Sequence, residues 1–209
     1  MNPDVFAARA GDEVDFSAFL TGAKVKDSPK EVRIELGLES ETPSDFLESP
    51  YFIVSDRMRA ALTSFGVDNI DYIPAVLVRP DIKREYRGYW LGNVVGLVSC
   101  VDPAKSKYDQ LSGSKKILRG FVVNESATQG LPLFRLKENR LLVLISLRLK
   151  EHLQSQGLQG LYFQETLKYD RKPASTFWED GEDEDEEDED VEEEDEDEDE
   201  EEEDEDEEK

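Results

Sequence analysis

The chain has 209 residues and a formal net charge of −26, and nearly all of this charge lies at one end. The polyacidic tail, Glu179–Lys209, contains 28 acids and one lysine in 31 residues, whereas the body, residues 1–178, carries 24 Lys and Arg against 23 Asp and Glu. The body is therefore near neutral and long enough to bury one core, whereas the tail has too few apolar side chains to fold and is predicted to be disordered.

Cysteine usage and hydropathy restrict the class of protein further. Cys100 is the only cysteine, which excludes an internal disulfide and favours an intracellular protein. The first residues, MNPDVFAARAGDEVDF, contain acids and lack the apolar core of a signal peptide. Since no run of about 20 apolar residues occurs either, we expect a cytoplasmic protein without a membrane span.

The first part of the chain predicts one strand and two less regular segments. Residues 1–29 are mixed in composition and are predicted to form a loosely ordered N-terminal segment. Val32–Leu38 alternates apolar and polar side chains, which is the period of a half-buried strand. Glu41–Pro50 is a polar loop with two prolines.

One supersecondary unit occurs twice, at an offset of 91 residues: IVSDRMRAALTSFGV at Ile53–Val67 and LISLRLKEHLQSQGL at Leu144–Leu158. In both copies an apolar run suited to a buried strand, YFIV at Tyr51–Val54 and LLVLI at Leu141–Ile145, precedes a serine that can cap a helix. About ten helix-forming residues follow, and a glycine then allows a left-handed exit from the helix. Each repeat unit is therefore predicted as strand, Ser cap, short amphipathic helix and Gly stop, and it serves as scaffold. The capping serines are Ser55 and Ser146, and the glycines are Gly66 and Gly157.

Between and after these units, further strands are predicted. Tyr72–Val78 is strand-like, although Pro74 favours an edge or irregular position. Tyr89–Val101 is the longest apolar run and is predicted as one bent central strand. Leu133–Leu136 is predicted to form a hairpin with the strand of the second repeat unit. Strands outnumber helices, so residues 30–178 are predicted to form an α+β domain. Its sheet would be mostly antiparallel, with the two repeat helices packed on one face.

The chain offers few residues for catalysis or cofactor binding. His152 is the only histidine and falls on the second repeat helix, where a structural role is expected. Cys100 lies within an apolar strand run, where a thiol is inert. One His and one Cys cannot form a zinc site, and the acidic tail lacks the bent loop of a high-affinity calcium site. We therefore predict a protein with no catalytic residues, no cofactor and no specific metal site.

Basic residues alternate with aromatic ones in DIKREYRGYW, Asp81–Trp90, a pattern that can bind nucleic acid. The near-neutral body and the attached polyanion both oppose that role. Packing at the start of a strand with a polar flank is the preferred interpretation. Binding to another protein is the function that remains.

The stretches TPSDFLESPYFIVSDRMRAALTSFGV, YWLGNVVGLVSCVDPAKSKYD and LFRLKENRLLVLISLRLKEHLQSQGLQGLYF resemble a bacterial immunity family of polymorphic-toxin systems. This is the eleventh immunity class, a myxobacterial-type immunity domain. The resemblance covers Thr42–Phe163 and implies a cytoplasmic, non-catalytic protein that binds and blocks a cognate toxin or secreted enzyme of the same cell. The acidic tail is not part of the family pattern.

The leading hypothesis is thus a stoichiometric inhibitor whose partner is basic and encoded by an adjacent gene. The tail would speed encounter with such a partner, and its first carboxylates are the predicted partner-binding residues: Glu179, Asp180, Glu182 and Asp183. Three alternatives stay open. The protein could keep a secreted protease or other hydrolase inactive before export, it could be a general acidic chaperone for basic proteins, or the tail could act in solubility alone.

Overall fold

The computed structural model describes residues 7–10, 16–26, 28–37, 42–48, 52–110 and 116–170. The chain divides into two parts, residues 1–171 and 172–209, and all described residues lie in the first part. The polyacidic tail lies outside the described residues, so its disorder stays a prediction. The predicted domain boundaries at residues 29/30 and 178/179 stay predictions as well.

Short strands dominate the described residues, and the helices are few and short. No helix among them is long and apolar enough to cross a membrane. The strands are β1 (Ala7–Ala10), β2 (Val32–Gly37), β3 (Phe46–Leu47), β4 (Ile53–Ser55), β5 (Ile70–Arg79), β6 (Arg84–Val94), β7 (Leu97–Val98), β8 (Lys107–Gln110), β9 (Lys116–Arg119), β10 (Leu133–Leu136) and β11 (Val143–Ile145). The helices are α1 (Phe16–Phe19), α2 (Asp56–Phe65) and α3 (Leu147–Ser155), with 3₁₀ turns at Glu125–Thr128 and Thr166–Lys168.

The strands form three sheets. The largest has six strands in the order β1-β2-β5-β6-β4-β3, the second has the order β11-β10-β7, and β8 pairs with β9. All strand pairs are antiparallel except β2 with β5 and β7 with β10. The predicted α+β class with a mostly antiparallel sheet is confirmed.

The six-stranded sheet is covered on both faces because its strands alternate between two apolar clusters. Ile53 and Leu91 point into a cluster that also contains Phe19 of α1. Val54 of β4 and Val94 of β6 belong to a second cluster on the opposite face. The buried residues of both repeat helices belong to this second cluster: Met58, Ala61 and Leu62 of α2, and Leu149 and Leu153 of α3. The prediction that both helices pack on one face is therefore confirmed.

Both repeat units have the local geometry that the sequence predicts. The hydroxyl of Ser55 accepts from the Met58 N–H at the start of α2, and that of Ser146 accepts from the Leu149 N–H at the start of α3. Gly66 ends α2 at φ +98°, and Gly157 follows α3 at φ +63°, which is the left-handed region that favours glycine. The predicted hairpin is also present, with Leu133 opposite Ile145.

Two strand predictions are wrong in part. The predicted single strand at Tyr89–Val101 is divided, because β6 ends at Val94 and β7 belongs to the three-stranded sheet. Gly96 adopts φ +92°, and this left-handed residue turns the chain out of one sheet towards the other. Pro74 lies in β5, which is a central strand and not an edge strand. The proline, which has no N–H to donate, is tolerated because the pairing of β5 with β2 begins only at the next residue, Ala75. The register of β5 against β6 shifts just after it, between Ala75 and Leu77.

The predicted N-terminal segment, residues 1–29, contributes two described elements. β1 pairs with β2, and Phe19 of α1 is buried in the first cluster. Residues 1–6, 11–15 and 27 of this segment lie outside the described residues.

Candidate functional site

His152, the only histidine, holds the two repeat helices together. Its Nε2 lies 3.1 Å from the carbonyl oxygen of Ala61 on α2 and 3.5 Å from the hydroxyl of Ser64. Its ring centroid is 5.2 Å from that of Phe65. The imidazole is thus engaged by backbone and by an aromatic ring, in agreement with the structural role expected from the sequence.

Cys100 is buried, with 2% of its surface exposed, in a third apolar cluster formed around Phe121 and β10. Burial raises the pKa of its thiol, and the negative charge of Glu138 raises it further. A thiol in such surroundings is a poor nucleophile, since the thiolate is the reactive form. Among the described residues, no group of three or more His, Cys, Asp or Glu side chains could hold a metal ion.

The basic and aromatic stretch before Trp90 is used in internal packing. Tyr86 and Tyr89 pack against the first cluster, and Arg87 pairs with Glu31. The Trp90 indole N–H donates to the Asp56 carboxylate at 2.6 Å. β6 begins at Arg84, so these residues form part of a long strand and not a polar flank before one.

Asp45 is the polar centre that joins the first repeat unit to the end of the second. Its carboxylate, which is buried, accepts from the Ser55 hydroxyl at 2.6 Å, from Arg57 at 3.1 Å and from the Gln159 backbone N–H at 3.0 Å. Arg57 also donates to the carbonyls of Gln156 and Gly157 after α3. This Asp45 cluster fixes the two units relative to each other, and its groups are satisfied within the protein.

A different arrangement occurs at the outer side of β11. We use the name β11 edge for the strand Val143–Ile145 together with the flanking residues Leu141 and Leu147. β11 is the last strand of its sheet, and no described residue donates to or accepts from its outer side. Leu141 is 63% exposed and Leu147 is 67% exposed. The predicted strand over Leu141–Ile145 is therefore present only at Val143–Ile145, and its predicted burial is wrong, because Leu141 lies in the turn and β11 is half-buried at a sheet edge.

The arginines near the β11 edge lack acidic partners in the part of the chain that the structure describes. Arg33, Arg57, Arg79, Arg87 and Arg119 each pair with a carboxylate. None of the ion pairs found among the described residues involves Arg135, Arg140 or Arg148.

Arg135 is the unusual member of this group, since it is only 5% exposed. One of its Nη groups donates to the Arg140 carbonyl, its Nε has no hydrogen-bond partner, and desolvation lowers its pKa. The β11 edge thus combines a strand whose outer side has no partner among the described residues, two exposed leucines and arginines without a described carboxylate, and it is the candidate protein-binding site.

Sequence reasoning places the partner-binding residues elsewhere. Glu179, Asp180, Glu182 and Asp183 lie outside the described residues, and their role stays a prediction. The β11 edge is not found from the sequence, because the run LLVLI has the composition of a buried strand.

A family model described as "Immunity protein family (Imm11)" matches residues 5–168 of the chain. The match contains both repeat units, the Asp45 cluster and the β11 edge, and it ends before the polyacidic tail. No curated protein matches the chain.

Proposed function

The chain belongs to the Imm11 family of immunity proteins, because the family match covers more than half of its length, and we propose that it neutralises a cognate toxin by binding it. The family match is the observation that carries this proposal. The protein acts in the cytoplasm of the bacterial cell that makes the toxin, and it acts stoichiometrically, without turning over a substrate.

The arrangement of the body supports a binding role. Its single histidine is engaged in joining two helices, and its single thiol is buried with a raised pKa. Its exposed apolar side chains include the two leucines that flank β11, the strand at the end of its sheet. Exposed apolar groups of this kind are common where proteins bind other proteins.

The polyacidic tail adds an electrostatic component to this function. We propose that the tail interacts with a basic region of the toxin. The carboxylates that approach this region are the first ones of the tail: Glu179, Asp180, Glu182 and Asp183. Charges outside a close contact act over a Debye length of about 8–10 Å at physiological salt. They therefore raise the rate of encounter more than they lengthen the life of the complex.

The test begins with the gene adjacent to this one, whose product is the expected toxin. Expression of that product alone should arrest growth, and co-expression of this chain should restore growth and yield a complex with one copy of each protein. Growth arrest that this chain does not relieve, with no complex formed, contradicts the proposal. A non-toxic secreted hydrolase that this chain holds inactive would favour the export-escort function instead.

The contribution of the tail is measured separately from that of the body. Association and dissociation rates are compared for the full chain and for a chain ending at Trp178, each at low and at physiological ionic strength. Truncation should slow association most at low salt and change dissociation less. If the association rate at low salt is unchanged, the tail does not steer the toxin and acts in solubility or turnover.

A further inference from the structure

The hydrogen-bond pattern of the hairpin fixes which backbone groups of β11 point outward. The Leu136 N–H donates to the Leu142 carbonyl at 3.0 Å, and the Ser146 N–H donates to the Pro132 carbonyl at 2.8 Å. Because backbone direction alternates along an antiparallel pair, Leu142, Leu144 and Ser146 face β10. Val143 and Ile145 therefore present their N–H and C=O groups to the outer side, in the spacing that a further strand requires.

The side chains of β11 are already held by the body, so its exposed feature is the backbone edge. Val143 and Ile145 pack on the cluster that contains the repeat helices, and Leu142 and Leu144 pack on the cluster around Phe121. The strand is thus anchored on both faces, and no described residue pairs with its outer edge. A strand in this position is a preformed template for the addition of another strand.

The surroundings of the edge define the chemistry of its partner. Leu141 and Leu147, at the two ends of β11, are the exposed apolar contacts. The guanidinium groups of Arg135, Arg140 and Arg148 have no carboxylate among the described residues, and one of them is buried. Arg140 and Arg148 are exposed next to Leu141 and Leu147, and their guanidinium groups can form charge-assisted hydrogen bonds with a carboxylate of an incoming strand.

We propose that the β11 edge receives an extended strand of the toxin, which pairs with Val143 and Ile145 and carries apolar side chains and at least one carboxylate. This proposal rests on the proposed function and names the surface of the body that performs it. The toxin strand contacts Leu141 and Leu147 and sets its carboxylate against the arginines. The body thus recognises an acidic, apolar strand, while the polyacidic tail approaches a basic region of the same toxin.

A second copy of this chain fits the edge less well. Each copy carries a formal charge of −26, so two copies repel each other at neutral pH. The arginines would also remain without an acidic partner if β11 paired with another β11, because that strand, VLI, contains no carboxylate. Charge complementarity therefore favours the toxin strand.

The experiment measures binding of the adjacent-gene product, in catalytically inactive form, to variants of the full chain. Leu147→Asp places a carboxylate at the exposed first residue of α3, where a negative charge suits the helix start. Leu167→Asp is its matched control, because Leu167 is 66% exposed and lies in the 3₁₀ turn Thr166–Lys168. Arg140→Glu reverses a charge beside the edge, and Arg84→Glu reverses an exposed arginine at the start of β6.

Leu147→Asp and Arg140→Glu should each weaken the complex by about 30-fold or more, the size of an interface hot spot, while both controls bind as the wild type does. Amide hydrogen exchange provides a readout of strand pairing itself. The N–H groups of Val143 and Ile145 should exchange more slowly in the complex than in the free chain.

Four results overturn the proposal. If Leu147→Asp and Arg140→Glu bind as the wild type, or if the two amides exchange equally fast in the complex, the toxin does not use this edge although the proposed function stands. If the free chain sediments as a dimer that Leu147→Asp dissociates, the occupant is a second copy. If the wild type forms no complex with the adjacent-gene product, the inference and the proposed function fail together.

Discussion

Removal of the Asp45 carboxylate should destabilise the body more than removal of either helix-capping serine. Asp45 is 8% exposed and accepts three hydrogen bonds, two of them from Ser55 in the first repeat unit and from Gln159 just beyond the second. Asp45→Ala leaves the Ser55 hydroxyl and the Gln159 N–H without their acceptor. It also frees Arg57 from its 3.1 Å ion pair.

The magnitude follows from these three contacts. Each of the two bonds from Ser55 and Gln159 to this buried carboxylate contributes about 1.5 kcal/mol, the lower end of the range for a charged acceptor. The Arg57 side chain is 61% exposed, so solvent screening limits its pair with Asp45 to about 0.5 kcal/mol. Asp45→Ala should therefore lower the free energy of unfolding by about 3.5 kcal/mol. Asp45→Asn, which retains one carbonyl acceptor, should cost about half as much.

Urea unfolding followed by fluorescence and by circular dichroism measures this change, with coincident curves as the check on two-state behaviour. Asp71→Ala is the control, because Asp71 makes only an exposed 3.8 Å pair with Lys24 and should cost less than about 0.5 kcal/mol. If Asp45→Ala costs less than about 1 kcal/mol, the cluster does not hold the two repeat units together and the reasoning is refuted.

Four further predictions concern the rest of the chain. Ser55→Ala and Ser146→Ala should each lower the free energy of unfolding by about 1 kcal/mol through loss of a helix cap. The loss should be larger at Ser55, because its hydroxyl also donates to Asp45. Equal losses in urea unfolding would show that the bond from Ser55 to Asp45 adds no stability. The Cys100 thiol should react slowly with an aromatic disulfide reagent in the folded protein and rapidly in urea, since it is buried with a raised pKa; fast reaction of the folded protein would disprove this. Burial raises the pKa of Tyr72 and of Tyr89 to about 12. The stability contributed by the neutral phenols is therefore complete below pH of about 10 and is lost as pH rises through about 12. Ultraviolet titration that shows both phenols ionising near pH 10 would contradict this prediction. Deletion of the polyacidic tail should leave the unfolding midpoint unchanged at moderate salt, because the tail has almost no apolar side chains, and a large shift of the midpoint would count against that prediction.

The sequence by itself determined the features that depend on residues close together in the chain. The serine caps at Ser55 and Ser146 and the left-handed glycines at Gly66 and Gly157 act within one helical turn, so their residue types are sufficient to predict them. The alternation in β2 depends on neighbouring side chains in the same way. The α+β class and the resemblance to an immunity family follow from such local patterns repeated along the chain.

Only the tertiary structure decided the features that join distant residues. Asp45 meets the Gln159 N–H across 114 positions, and nothing near Asp45 in sequence specifies that partner. After β6 the chain leaves the six-stranded sheet and enters the three-stranded one at β7, because Gly96 permits a turn whose direction only packing selects.

The candidate site is decided in the same way. The run LLVLI has the composition of a buried strand, and only the strand order places β11 at a sheet edge. Arg135 is a charged residue in the strand of a predicted hairpin, yet the folded protein buries it to 5% exposure without an acidic partner among the described residues. Composition determines that a chain can bury a core, whereas the exposure of a strand edge or a charge depends on which distant elements cover it.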